Sequence, residues 1–348
     1  MDNITELLTF AINNGAEQVL ISAGSPPVMR QKGELVFAKM DALTPENART
    51  LIASALTSDQ MKELEDEREL NFTCRMTEDH QVLASAYFER GGISAVFRIV
   101  PPAVPLPTKL GLPSLMADAA RASEGLLVIA APPGHGKSTA LASLVELINA
   151  EREATVLTIE ERIGYPHVNK KSVVHQREVG RDTPSFSSAL DAAMAQDPDV
   201  VVIDPMKDAG AVRRVLALAG RGRLVIASME ADYALEALEK LLDAAEDKDS
   251  PSVRRQLAAS LILVAAIRLL PRKGGGGRVP ATELLLVNAE LARLIRAGDL
   301  KALAKHMTSP EETGTWTMDS FILKLHERDL VDDEAVRRYL VDTSALES

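Results

Sequence analysis

Residues 131–140 read APPGHGKSTA. The apolar run GLLVIA at 125–130 precedes this stretch, and TALASLVELINA follows from Thr139. The run reads as a buried strand, while Leu141, Leu144, Val145 and Ile148 recur at helical spacing. Strand, glycine-containing loop and helix in that order make a phosphate-binding loop. Gly134 and Gly136 let the backbone turn its N–H groups inward. Lys137 is placed to reach the outer phosphates, Ser138 to ligate Mg²⁺, and the helix N-terminus adds positive potential. The nucleotide-contact candidates are Pro133, Gly134, His135, Gly136, Lys137, Ser138 and Thr139, with ATP and Mg²⁺ as the expected ligands. One departure stands out. The usual pattern has glycine where Ala131 stands, and alanine suits that position only if φ is negative there.

The chain has 348 residues, a length that suggests two domains or three. It carries 39 basic and 50 acidic residues, and no part is strongly basic, so no nucleic-acid partner is expected. Cys74 is the sole cysteine, which excludes an internal disulfide and a cysteine-based metal site. MDNITELLTFAINNG at the start lacks the basic segment and apolar run of a signal peptide. SLILVAAI at 260–267 is too short to span a bilayer. These features predict a cytoplasmic protein, peripheral at the inner membrane only through partners.

Residues 1–100 read as one α+β unit. EQVLIS and PVMRQKGELVF are strand-like, with Lys32-Gly33 as a hairpin turn. Pro45 opens a helix, and Thr57 with Gln60 forms a capping box for the next. NFTCRM, QVLASAYF and ISAVFRIV follow as strands. The segment at 101–113, PPAVPLPTKLGLP, holds five prolines and reads as a stiff linker without regular structure. From 125 to 230 strand and helix alternate, which predicts a parallel sheet covered on both faces. The remainder from Ala231 reads as mostly helical, with GGGG at 274–277 as a flexible turn.

Hydrolysis needs carboxylate support for Mg²⁺ and a group to orient water. PDVVVIDPMKD at 198–208 ends a strand at Asp204, a candidate catalytic and metal-linked carboxylate. Pro205 follows, and proline can neither accept a proton nor donate an N–H. Asp208 is either a second carboxylate or the cap of the next helix. TIEERIGY at 158–165 offers Glu160 and Glu161 as catalytic candidates. A continuing strand points them to opposite faces, and the alternative for both is a solvated strand end. Arg221, Arg223 and Glu230 flank the strand RLVIASM, but the sequence does not aim either arginine at the site.

Several segments in order resemble one family. They are AGSPPVMRQKGEL at 23–35, RGGISAVFRIVP at 90–101, HQREVGRDTPSFSSAL at 175–190, AQDPDV at 195–200, RLLPR at 268–272, GRVPATELLLV at 277–287 and the late WTMDS. Together they resemble the twitching-motility ATPases that retract type IV pili, and more broadly the secretion ATPases. The resemblance implies an α/β protein with a PAS-like α+β domain at 1–100 and the linker at 101–113. A RecA-like P-loop NTPase domain at 114–285 and a helical C-terminal region at 286–348 follow. It implies nucleotide held between the domains, Mg²⁺, and a homo-hexamer or a mixed ring with a related ATPase. It also implies contact with an inner-membrane pilus platform protein.

Residue by residue, the resemblance keeps Lys137, Ser138, Thr139 and Glu160. Glu161 replaces an aspartate of the acidic box, and Gly164 its later glutamate. Asp204 stands at the Walker B glycine and Pro205 at the catalytic glutamate. Arg223 and Glu230 stand at the two histidines of the histidine box, which the resemblance places together in the active-site neighbourhood. An arginine-rich segment aligns near Gln81 and Leu83, whereas Arg90 and Arg98 remain as nucleotide contacts from the first domain. Binding residues survive and several hydrolytic ones do not. The expectation is an ATP-binding motor with slow turnover, or a non-hydrolysing paralogue that regulates or completes a ring. A small-molecule phosphotransferase explains neither HQREVG nor the N-terminal unit.

Overall fold

The computed structural model describes residues 3–31, 34–75, 81–100, 103–243, 251–307 and 314–340. The chain forms two compact units, Met1–Ala103 and Val104–Ser348. In the first, the elements are α1 (Ile4–Asn13), β1 (Gln18–Ile21), β2 (Val28–Gln31), β3 (Glu34–Phe37), α2 (Pro45–Ala53), α3 (Ser58–Glu67), β4 (Glu69–Arg75), β5 (Gln81–Glu89) and β6 (Gly92–Val100). The strands make an antiparallel sheet in the order β3-β2-β1-β6-β5-β4. The helices start where the side chains dictate. Thr44 caps α2 with Pro45 in its first turn, and Thr57 and Gln60 form the capping box of α3. Ile4, Leu7, Leu8 and Ala11 put one face of α1 into a core with Ile52, Leu64 and Phe97. The Lys32-Gly33 turn lies outside the described residues.

The second unit opens with α4 (Pro107–Leu110) and α5 (Ser114–Ala120). A helical turn thus stands inside the segment expected to lack one. Pro107 sits in its first turn, where no N–H is needed, and Gly111 closes it at φ 73°. There follow β7 (Gly125–Ala130), α6 (Lys137–Glu151), β8 (Thr155–Glu160), β9 (Val173–Glu178), α7 (Phe186–Gln196), β10 (Val200–Asp204), α8 (Ala209–Ala219), β11 (Leu224–Met229), α9 (Ala234–Asp243) and α10 (Pro251–Ser260). A hairpin of β12 (Leu261–Pro271) and β13 (Arg278–Leu286) comes next, then α11 (Ala289–Ala297), α12 (Leu300–Met307), α13 (Met318–Glu327) and α14 (Asp333–Tyr339). The hairpin corrects the expectation of a mostly helical stretch after Ala231. The greasy run is β12, buried between helical layers, and GGGG is the hairpin tip, with all four glycines at positive φ.

The seven-stranded sheet runs β13-β12-β7-β11-β10-β8-β9, parallel throughout except for β13. Alternate residues serve opposite faces. Leu126, Val128 and Ala130 join the layer containing α7, α8 and α9, while Leu127 and Ile129 meet α5 and α6. Each such aliphatic side chain contributes about 1.5–3 kcal/mol on full burial. This packing holds the C-terminal ends of β7, β10 and β11 side by side. α6 is buried on all sides from Ala140 to Asn149. Its polar members serve the segment at 161–171. Asn149 donates from Nδ2 to the Val168 carbonyl (2.8 Å) and accepts from Lys170 N–H (3.0 Å), while Glu146 holds His167 (3.0 Å) and Lys170.

Candidate nucleotide-binding site

The loop between β7 and α6 is shaped by two glycines, Gly134 at φ 77° and Gly136 at φ 90°. An L side chain at either is strained. Ala131 is not among the positive-φ residues, and it is fully buried at the end of β7. The departure from glycine therefore costs the loop nothing. The Ala131 carbonyl accepts a hydrogen bond from Lys137 Nζ at 2.8 Å. Burial pushes the Lys137 ammonium below its ordinary pKa, and the carboxylates of Glu230 and Asp204 oppose that shift.

Ser138, Glu160 and Asp204 line one small cavity of about 10 Å³ beside α6, together with Thr158 and His167. Three elements bring them there: the first turn of α6 and the adjacent ends of β8 and β10, where Glu160 and Asp204 are register partners. The Asp204 carboxylate accepts from Ser228 Oγ on β11. Glu160 Oε1 accepts from Thr158 Oγ1 at 2.6 Å and from Gln176 Nε2 at 3.1 Å. Burial raises the Glu160 carboxyl to about 7, against the pull of those two hydrogen bonds and with help from the Asp204 and Glu178 charges. Gln176 also holds the segment over the cavity, donating to the Tyr165 carbonyl (3.0 Å) and accepting from His167 N–H (2.8 Å). The Tyr165 hydroxyl meets Thr139 Oγ1 at 3.1 Å.

Other predicted residues lie elsewhere. Glu161 follows the last residue of β8, is exposed, and pairs with Lys207 at 2.8 Å, so it is outside the cavity. Asp208 is a cap, accepting from Ala211 N–H at 2.7 Å. Arg223 precedes β11, at the end of the parallel sheet away from the loop, and pairs with Asp197. The expectation that Arg223 and Glu230 share the site neighbourhood is corrected: β11 separates them by about 20 Å, and only Glu230 sits at the loop end. Arg90 and Arg98 belong to the first unit. Arg90 is in the turn before β6 and Arg98 near the far end of that strand, both exposed.

Two larger cavities lie in the second unit, and one of them meets the loop. An open one of about 610 Å³ is lined by Pro205, Met206, Lys207, Asp208, Met229 and Glu230 among others. A smaller slot of about 160 Å³ meets the loop at His135 and Gly136 and is walled by Leu110, Leu112, Ile267, Leu269 and Pro280, with Thr139 and Arg278. The hairpin also braces the loop directly. Leu269 N–H donates to His135 Nδ1 at 3.0 Å, and Arg278 Nη1 donates to the Gly134 carbonyl at 3.1 Å.

A family model described as type II/IV secretion system protein matches residues 111–275. The type IV pilus retraction ATPase PilT of Pseudomonas aeruginosa is 31% identical over 335 residues, covering 96% of this chain and 97% of the relative. The chain belongs to the pilus-retraction branch of the secretion ATPases. A twitching motility protein of Neisseria gonorrhoeae is 30% identical, covering 90% of this chain and 83% of its own. The crystal structure of the pilus retraction motor PilT with bound ADP superposes with a TM-score of 0.89 at 33% identity, covering 99% of both chains. Within this family frame, the sequence reasoning missed Thr158, Gln176, Ser228 and the two loop braces. Gln176 sits in HQREVG, and the brace residues Leu269 and Arg278 sit in RLLPR and GRVPATELLLV, so family segments marked these three without giving their contacts. Among the described residues, no helix is long and apolar enough to cross a membrane.

Proposed function

We propose that this chain is an ATP-binding motor subunit of a type IV pilus retraction machine. The observation that carries the reading is the convergence of Ser138, Glu160 and Asp204 on one cavity beside a braced phosphate loop. Ser138 and Asp204 offer the hard oxygen donors that suit Mg²⁺, which keeps several of its own waters. When bound, Mg²⁺ supplies charge neutralisation between the outer phosphates. Lys137 then exchanges the Ala131 carbonyl for phosphate oxygen, a stronger charge-assisted bond. The inward N–H groups of the loop bind the phosphate chain, and the aliphatic slot beside Thr139 receives the remainder of the nucleotide. Glu160, which lines the cavity with Oε1 held by Thr158 and Gln176, orients water. The retraction motor PilT is solved with ADP, which supports the same ligand class here.

In this reading the first unit is the PAS-like domain, with Arg90 and Arg98 as its nucleotide contacts. The segment at 101–113 is the linker, 114–285 the RecA-like domain and 286–348 the helical C-terminal region. The protein works in the cytoplasm as a hexamer, alone or mixed with a related ATPase, against an inner-membrane platform protein. Turnover is slow, because Pro205 stands where the family places its catalytic glutamate. That residue also favours a second reading, a nucleotide-binding paralogue that completes a ring without hydrolysing. Calorimetry with ATP and Mg²⁺ tests the shared core of both. Binding in the parent and its loss in Lys137→Ala are expected. Equal binding in the two proteins removes the loop from the function.

A further inference from the structure

β13 joins two places that the proposed function treats separately. At its first residue, Arg278 donates to the Gly134 carbonyl of the phosphate loop at 3.1 Å. Its partner strand adds a second hold through Leu269 N–H and His135 Nδ1 at 3.0 Å. About 17 Å further along β13, three consecutive residues grip the segment that opens α13. Trp316 Nε1 donates to the Thr282 carbonyl at 2.8 Å. Trp316 and Leu284 exchange backbone hydrogen bonds at 3.0 and 3.1 Å. The buried Glu283 carboxylate accepts from Met318 N–H at 2.9 Å and from Ala234 N–H at 2.6 Å. One carboxylate thus closes the N-terminal ends of both α13 and α9. The connection into α9 is itself tied back to the hairpin, since Asp232 pairs with Arg268 of β12 at 2.9 Å.

The loop end of this strand has two arrangements available. In the present one the Lys137 ammonium rests on the Ala131 carbonyl. An entering phosphate draws that ammonium outward and takes up the N–H groups near Gly134 and His135. Those two residues are the ones already fastened to the hairpin. The hairpin is paired in continuous register from Leu263–Leu286 to Pro271–Arg278, so its strands resist sliding and shift together. His135 suits the role as a neutral ring. Its Nδ1 is the acceptor, so the proton sits on Nε2. Burial disfavours its charged form, as do the neighbouring cations Arg268, Arg278 and Lys137, with Asp232 opposing them.

We propose that β13 transmits occupancy of the phosphate loop to the Trp316–Met318 segment and α13, with His135 and Arg278 as positioning residues at the loop end. The inference rests on the nucleotide reading above. In retraction terms, it makes the C-terminal helices a direct output of nucleotide state.

Trp316 is the sole tryptophan, stacked on Phe321 of α13 at 5.9 Å, so its emission reports the far end of the path. The parent is titrated with ATPγS and Mg²⁺ by calorimetry and by tryptophan emission. An emission change that saturates at the calorimetric midpoint is expected. His135→Ala/Arg278→Met should bind about tenfold more weakly, and at saturation retain at most a third of the parent amplitude. Arg278→Lys, which keeps a donor, should retain at least two thirds. Arg278 is exposed, so Arg278→Met alone serves under the same threshold if circular dichroism shows the double variant misfolded. Full amplitude in the saturated Met variant overturns the proposal, as does a parent that binds with no change in emission. A parent that shows no calorimetric binding overturns the nucleotide reading itself and this inference with it.

Discussion

Replacing Glu160 with glutamine should stabilise the second unit at neutral and alkaline pH and leave it unchanged in acid. Burial raises this carboxyl from its ordinary 4.5 to about 7. A group whose folded value lies above its unfolded value contributes stability that is fully present below the unfolded value. That contribution is lost as pH rises through the folded one. The window is therefore pH 4.5 to about 7. At about 1.4 kcal/mol per pH unit, the gap costs the parent about 3 kcal/mol once both states are ionised. Glu160→Gln keeps an acceptor oxygen for Thr158 Oγ1 and Gln176 Nε2 but carries no charge, so its stability should not follow that slope. For a unit of this size the difference amounts to a melting point higher by about 8 °C at pH 8. Thermal melts followed by Trp316 emission, without nucleotide or metal, measure it at pH 4.5, 6 and 8. Curves for parent and variant that run parallel across that range would refute the idea that a buried charge is held beside Ser138 and Asp204. The same substitution should lower ATP turnover, the expected exchange of function for stability at a site that keeps a costly charge in place.

Lys137→Ala should weaken ATP binding about 100-fold in calorimetry, since a charge-assisted hydrogen bond contributes up to roughly 3 kcal/mol; a change below threefold counts against the loop. Pro205→Glu should raise phosphate release by about 100-fold, the usual gain from a positioned proton acceptor. A parent rate of about 1 s⁻¹ or more, abolished by Lys137→Ala, would show instead that the chain already has its own catalytic group. Glu283→Ala strands the N–H groups of Ala234 and Met318 in a buried setting, which should cost about 4 kcal/mol and lower the melting point by about 10 °C. A loss under 1 kcal/mol would mean that water replaces the carboxylate.

The phosphate loop and the five parallel strands from 125 to 230 were legible because their signals are local. The apolar runs have strand length, and glycines stand where positive φ is needed. β12 was less legible for a physical reason. LILVAAIRLLP is buried on both faces, so it shows no alternation, and periodicity alone does not separate such a strand from a buried helix. The glycines at its end were the better guide. Strand alternation alone left Glu160 and Glu161 open; the family resemblance favoured Glu160, and the end of β8 at that residue shows why it is the one that lines the cavity. The misplacement of Arg223 came from treating neighbours in a motif as neighbours in space, when a strand lies between them. The loop braces were invisible, since His135–Leu269 and Gly134–Arg278 join residues far apart in the chain.

The helix that carries the phosphate loop has ten consecutive residues without a solvent face, Ala140 to Asn149. Such a segment offers no position for a dye, a spin label or a surface-engineering substitution. In a library of random variants it should be among the least permissive stretches of the chain, accepting little beyond exchanges of equal volume. Evolutionary adjustment of this motor is thereby pushed outward, to the segment at 161–171 and to the β12–β13 hairpin that hold the helix and its loop from outside.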